Sequence, residues 1–377
     1  MRFQFFLLML VFFNLKAQPR QCLYDASFVP VIDLHREALT FRSLVTVPVV
    51  VHVISTTETE VSDFQIHAQI HALNRDFRKR GKEWLLMPQP FRELAADAYI
   101  EFELASVAPD GLPTLGINRK KINGNNAVLH DDIFYAERGG IDAWDTNRYL
   151  NIWVVEMHEA LLGYASSPND AGLPTDGVVI NINYFGTSRA ESTYQLGRTL
   201  VHEVGHYLGL SHPWGDIKNE CEEDDGLEDT PILRGPHYSC PPRDVQSCNG
   251  IPYYWNFMDY TPDCCMAMFT HGQAAQMQAT LSYYRPQLSI ASFDAPLQAG
   301  QFAVAPNPAK SAVAISWEDP IKSIEVYTSD GRMIRTFHPD SSDRYWSLCL
   351  SDYPKGMLIF VFHSNDGLRT VQKLLHL

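Results

Sequence analysis

The stretch from His202 to His212 reads HEVGHYLGLSH, and no other part of the chain restricts its backbone so tightly. His202 and His206 are four apart, so on a helix they share one face, one turn apart, and both imidazoles can reach a single Zn2+ at about 2.0–2.1 Å. Were the helix to continue, His212 would lie roughly 15 Å further along the axis than His202, beyond the same ion. The chain must therefore turn. Gly209 supplies the turn, since glycine adopts the left-handed conformation of a helix end without steric cost. His212 then returns as a third ligand. Three protein ligands leave a fourth position for water, whose pKa the ion lowers to about 7. Glu203, beside the first ligand, is placed to accept that water's proton and later pass it on. The pattern thus predicts an open, hydrolytic zinc site on a buried helix. Ser192 and Gln195 fit a capping box at the helix start, and Leu196, Leu200, Val204 and Leu208 recur every four residues as its buried stripe.

Downstream, Asn256 to Tyr260 reads NFMDY. This resembles the Met-turn of metzincin peptidases. The resemblance implies that Met258 forms an apolar floor under the zinc and that the Tyr260 phenol stabilises charge developing on a scissile carbonyl oxygen. Between the two motifs stand CEEDDGLEDTP from Cys221 to Pro231, then Cys240 and Cys248, and beyond the turn CMAMFT from Cys265 to Thr270. Together these resemble the pappalysin family of metzincins, with the likeness running from roughly Val47 to Arg285.

Two disulfides follow from that resemblance, Cys221–Cys248 and Cys240–Cys265. Spacing alone leaves three pairings open, and Cys264 offers Cys240 an alternative partner. The resemblance also implies a structural Ca2+ where Asp224, Asp225, Glu228 and Asp229 surround Gly226 with hard oxygen donors; Asp225, Asp229 and Thr230 are the candidate ligands, and a solvated acidic loop is the alternative. Asp263 falls where metzincins build the pocket wall for the side chain after the cleaved bond. A carboxylate there would favour Arg or Lys, unless it is an ordinary exposed aspartate.

At 377 residues and 45% hydrophobic content the chain has room for about two domains. Its formal net charge of −14 argues against a nucleic-acid partner. Residues 1–17 read as a signal peptide, with Arg2 before an apolar run too short to span a bilayer, so no transmembrane segment is expected. Export is consistent with persistent disulfides. Residues 18–46 read as a short propeptide. Its Cys22 could occupy the open zinc position as a thiolate and keep a zymogen silent; the alternatives are a pairing with Cys264 or an unused thiol.

The catalytic region, 47–290, opens with a β-branched strand at Val47–Ile54 and a helical pattern from about Ser62 to Arg78. Strands are predicted at Phe102–Val107, Tyr149–Val155 and Val178–Asn183. Leu162–Ser166 is either a substrate-binding edge strand or a plain sheet edge. His158 and His271 read as structural or exposed. After a linker at 291–301, residues 302–377 show short alternating strands, including a hairpin around Asp330-Gly331, as in a small β-sandwich. Val304–Pro308, that hairpin, Lys355–Phe362 and the basic close at Lys373 resemble the C-terminal sorting domain of type IX secretion cargo from Bacteroidetes; a carbohydrate-binding or adhesive module is the alternative.

The fold expected is therefore an α/β (α+β) metzincin-like domain with a mixed twisted sheet and zinc helix, followed by an all-β sandwich. The expected function is a secreted or cell-surface zinc metalloendopeptidase, monomeric, acting on protein or peptide substrates and exported by the type IX secretion machinery. The competing class is a secreted binding protein whose peptidase domain is inactive, and intact Glu203 and Tyr260 count against it.

Overall fold

The computed structural model describes residues 21–22, 44–288 and 302–376, apart from 57–59, 113, 123–130, 159–160, 188–192, 216–220, 241–246, 249–252, 306–308, 310–311, 318–319, 329–330, 341–342, 344, 351 and 366–368. The expected signal peptide, most of the expected propeptide, the expected linker, Ser192 and Asp330 lie outside these residues.

The first unit is built on a mixed sheet. Strand β1 is Gln21–Cys22, and β2 is Val45–Ser55, whose β-branched residues are buried along nearly its whole length, the composition of a central strand. On one side β2 pairs in parallel with β3 (Ile100–Leu104) through Val45–Val49 and with β4 (Ile117–Lys121) through Val51–Ser55. On the other it pairs in parallel with β5 (Leu150–Val155), starting at Val49. Pro48 lies where β2 has only one neighbour, and there its missing N–H costs no ladder bond. The sheet continues from β5 in parallel to β7 (Val178–Asn181), then antiparallel to β6 (Leu161–Ala165). Beyond β6, β1 adds in parallel, with Gln21 opposite Leu161 and Cys22 opposite Gly163.

Helix α1 (Asp63–Phe77) begins at a capping box in which Ser62 Oγ accepts the Gln65 N–H and Gln65 Oε1 accepts the Ser62 N–H. Its buried Ile66, Ile70, Leu73 and Phe77 share the sheet's core with Val47, Val49, Phe102 and Phe269, each such side chain contributing roughly 1.5–3 kcal/mol. A single turn, α2 (Gln89–Arg92), leads toward β3. Helix α3 (Arg198–Tyr207) carries the histidine motif and is buried at every residue, and α4 (His271–Tyr284) is capped by Thr270 and Gln273.

The start of α3 differs from the sequence expectation. Its N-cap is Gly197, at φ +77° and with no capping side chain, and Leu196 precedes the helix. The capping acceptor comes from far along the chain: Asp263 Oδ2 receives the N–H groups of Leu196 at 2.8 Å and Arg198 at 3.2 Å. Arg198 also donates to Asp76 at 3.0 Å and Glu83 at 2.9 Å, tying α3 to α1 and the turn after it. This buried ion network takes over the role that a local Ser or Thr cap usually fills.

The second unit consists of two antiparallel sheets. One has the order β11 (Met333–Phe337), β10 (Ile321–Thr328), β13 (Gly356–Ser364), β14 (Arg369–His376). The other has the order β12 (Tyr345–Cys349), β9 (Ala312–Trp317), β8 (Phe302–Ala305). Alternate residues from both, including Val313, Ile315, Ile324, Val326, Phe360 and Phe362, form its separate apolar core. Among the described residues no helix is long and apolar enough to cross a membrane.

Candidate metal centre

His202 and His206 project from successive turns of α3, which ends at Tyr207. Gly209 takes φ +84°, and the reversed chain brings His212 back beside them. Their Nε2 atoms converge, with that of His206 lying 3.1 Å from the Nε2 of both His202 and His212. Two nitrogens bound to one ion at about 2.05 Å and a tetrahedral angle are roughly 3.3 Å apart, so the spacing suits zinc. The opposite edges of two rings support the same reading. His202 Nδ1 lies 2.8 Å from the Phe257 carbonyl oxygen and His206 Nδ1 2.7 Å from that of Leu210. A carbonyl only accepts, so each Nδ1 carries the proton and each of these Nε2 atoms presents a lone pair to the shared space. Facing lone pairs repel, and a cation between them removes the repulsion.

Glu203 is fully buried and points toward β6. A methyl group on Gly163 would lie 2.9 Å from Glu203 Cγ, so the glycine permits the close approach of helix and strand. Met258 is also fully buried; a methyl on Gly205 would fall 2.5 Å from its Sδ, which places the thioether directly against α3. The turn bearing Met258 is held by Asn256, whose Oδ1 accepts the Met258 N–H at 2.8 Å and whose Nδ2 donates to Gln273 of α4. The Tyr260 ring stands 5.1 Å from His212 and 5.6 Å from His202. Trp214 stacks on His212, 4.6 Å away and 7° from parallel, and meets Tyr260 edge-on. Thus His202, Glu203, His206, His212, Met258 and Tyr260 are brought to one place. Trp214, Asn256 and Gly163 belong there too, but sequence spacing assigned them no role.

A family model described as pregnancy-associated plasma protein-A matches residues 136–282. An extracellular metalloprotease of Arthroderma gypseum is 30% identical over 246 residues, covering 63% of this chain and 72% of its own length. One from Arthroderma benhamiae is 36% identical over 156 residues, half its length. The chain belongs to the pappalysin family of metallopeptidases. Among solved structures, mature mirolysin of Tannerella forsythia in complex with a cleaved peptide is 40% identical, with TM-score 0.62, covering 66% of this chain and 96% of that one. A promirolysin mutant from the same organism is 38% identical, again with TM-score 0.62, covering 66% of this chain and 85% of that one. Residues 303–376 match a secretion system C-terminal sorting domain. This pappalysin is accordingly a zinc metallopeptidase, secreted or held at the cell surface.

Around the pappalysin centre, Cys221 is bonded to Cys248 and Cys240 to Cys265. Cys264 is exposed, its sulfur 3.8 Å from that of Cys240. In the acidic loop Asp225 is buried, and burial pushes its carboxyl up to about 8. Its Oδ1 accepts the Leu227 N–H at 3.1 Å, and that bond and the neighbouring buried Thr230 hydroxyl hold the carboxyl lower than burial alone would. Asp229 is engaged at the start of α4, accepting from the Thr270 hydroxyl at 2.9 Å and the Gly272 N–H at 2.8 Å. Asp263 is fully buried at the start of α3 rather than exposed. His158 and His271 are exposed.

Proposed function

We propose that this chain is a zinc endopeptidase in which His202, His206 and His212 hold the ion, Glu203 moves the proton and Tyr260 serves the scissile carbonyl. The convergence of the three Nε2 atoms, with Glu203 on the same helix, carries this reading. When bound, zinc supplies Lewis acidity, drawing the pKa of water into the neutral range and polarising the carbonyl. Glu203 takes the proton released as water adds to the carbonyl carbon and returns it to the departing amine nitrogen, so no covalent acyl-enzyme is needed. The phenol of Tyr260 donates to the oxygen that gains charge as the carbon becomes tetrahedral. Met258 and the carbonyls of Phe257 and Leu210 keep the imidazoles aligned through the cycle.

Extended substrate pairs with β6, the strand against which Glu203 packs. Residues 21–22 already pair there, with Cys22 opposite Gly163, and this supports a latent form in which the propeptide occupies the substrate strand and the Cys22 thiolate caps the zinc. Specificity for Arg or Lys directly after the cleaved bond rests on the position of Asp263 after the turn and against α3; the bonds from Leu196 and Arg198 to its Oδ2 weigh against that role. Calcium binding at Asp225 and Thr230, with Asp229 beside them, is supported by the buried carboxylate, whose burial no described cation offsets. Export by the type IX machinery rests on residues 303–376, and the enzyme acts as a monomer.

The test is a peptide library digested by secreted protein with and without a zinc chelator, cleaved bonds being identified by mass spectrometry. Chelator-sensitive cleavage lost in Glu203→Ala is expected; a preference for Arg or Lys after the cut that relaxes in Asp263→Ala with Tm unchanged would support a pocket role for Asp263, and an unaltered preference would leave it only the part it plays at the start of α3. A Cys22→Ala precursor as latent as wild type would remove the thiolate switch. No cleavage after removal of the N-terminal segment would refute the peptidase reading.

A further inference from the structure

Residues 237–240 of the disulfide-bridged insert run beside residues 259–265, and three successive contacts join them. His237 Nδ1 lies 2.6 Å from Asp259 Oδ2, the His237 backbone N–H donates to Asp259 Oδ1 at 2.9 Å, and neither side chain has exposed surface. One residue on, the Tyr238 ring meets Tyr260 at 6.0 Å between centroids. Two further on, Cys240 is bonded to Cys265. Asp259 stands between Met258 and Tyr260, and its Oδ1 also accepts the Tyr260 N–H at 2.6 Å. The backbone that launches the Tyr260 side chain is therefore fixed by a buried carboxylate, and that carboxylate is gripped from the insert.

A donor aimed at a developing oxyanion works only when held at hydrogen-bond distance from where the charge appears, without reorganisation at the moment of reaction. Ring contacts with His212 and Trp214 restrict the tilt of Tyr260. Its reach toward the carbonyl depends on where its Cα sits, and Asp259 determines that. We propose that His237 is a positioning residue of the peptidase: through Asp259, and with Tyr238 against the ring, it aims the Tyr260 phenol at the scissile carbonyl oxygen. This rests on the reading of Tyr260 given above.

The experiment is a double-mutant cycle. kcat and KM on a peptide cleaved by wild type are measured for Tyr260→Phe, His237→Leu, His237→Asn and the His237→Leu/Tyr260→Phe pair, with zinc content and Tm for each. Loss of the phenol lowers kcat about 100-fold or more. His237→Leu lowers kcat about tenfold to 100-fold through misplacement of the phenol, with KM within about twofold and zinc retained in full. His237→Asn, which keeps an N–H donor for Asp259, recovers most of that loss. In the double variant the loss equals that of Tyr260→Phe alone, because the histidine has no phenol left to aim. If His237→Leu lowers kcat by the same factor with and without the phenol, the pair only supports the fold and the inference is overturned while the peptidase reading stands. An unaltered kcat in Tyr260→Phe overturns both the inference and the role given to Tyr260. Should His237→Leu not accumulate, Asp259→Asn takes its place in the same cycle with the same two outcomes.

Discussion

Gly205 occupies a variable position of the histidine motif, yet the fold leaves it little freedom: a methyl there would lie 2.5 Å from Met258 Sδ and 3.3 Å from Cε. Gly205→Ala sets two effects against each other. Alanine inside a helix is favoured over glycine by roughly 1 kcal/mol. Forcing a methyl into filled space costs about 1–3 kcal/mol, toward the lower end here because methionine has three torsions with which to yield. The net change is thus a loss of about 0–2 kcal/mol. Met258→Ala alone empties a fully buried site and costs about 2–5 kcal/mol. In that background the Gly205 methyl enters vacated space, so Gly205→Ala should stabilise by roughly 1 kcal/mol, and the two substitutions should couple by about 1–3 kcal/mol. Guanidinium unfolding of zinc-loaded protein, carried in Glu203→Ala to prevent self-digestion, measures all four corners. A stabilisation of about 1 kcal/mol by Gly205→Ala in both backgrounds would refute the contact, and with it the placement of Met258 as the floor of the zinc helix.

Three other perturbations test separate parts of the structure. Gly163→Ala puts a methyl 2.9 Å from Glu203 Cγ and against the Val179 carbonyl, and should lower kcat about 100-fold while zinc content is unchanged, read by steady-state kinetics and metal analysis. His52 is buried in β2, donating from Nε2 to Asn151 and accepting at Nδ1 from Asn118, and burial lowers it from 6.5 to about 4. Its contribution is therefore full above pH 6.5 and lost as pH falls through about 4, on the order of 3 kcal/mol, seen as the difference in acid unfolding between wild type and His52→Gln. In calcium-free protein Asp225, pushed up to about 8, binds a proton more tightly when folded, so stability is full below pH 4 and falls as pH rises toward 8, by on the order of 4 kcal/mol at pH 7. Added Ca2+ should restore the Tm at pH 7, and Asp225→Asn should remove both the calcium effect and this part of the pH dependence; an unchanged Tm on calcium removal would dismiss the site.

Much of the fold was legible because its signals are local. The β-branched runs of β2, β5 and β7 and the four-residue period of α1 each report burial within one element, and each lies within a few residues of where its pattern placed it. The Ser62–Gln65 box is local as well, a serine followed three residues on by a glutamine at the start of α1. The start of α3 does not follow its local pattern. A serine-to-glutamine spacing at Ser192 and Gln195 looks like a cap, but the acceptor for the first amide of α3, that of Arg198, is Asp263, 65 residues further on. No local pattern can announce a cap that tertiary structure supplies.

The glycines around α3 show how far motif reading reaches into the site. Gly209 was legible because the three ligands demand a reversal after His206, and only a left-handed residue provides it at once. Gly205 and Gly163 were not, because their constraint is the volume of Met258 and Glu203 arriving from other elements. Trp214 and His237 are of the same kind: an aromatic two residues past a ligand and a histidine in an insert acquire meaning only when His212 and Asp259 are seen beside them. Spacing along a helix specifies ligands because the helix fixes relative positions over a few residues. The parts that orient those ligands are set by packing between elements, so in this family of sites the chemistry is readable from one segment and its tuning only from the folded chain.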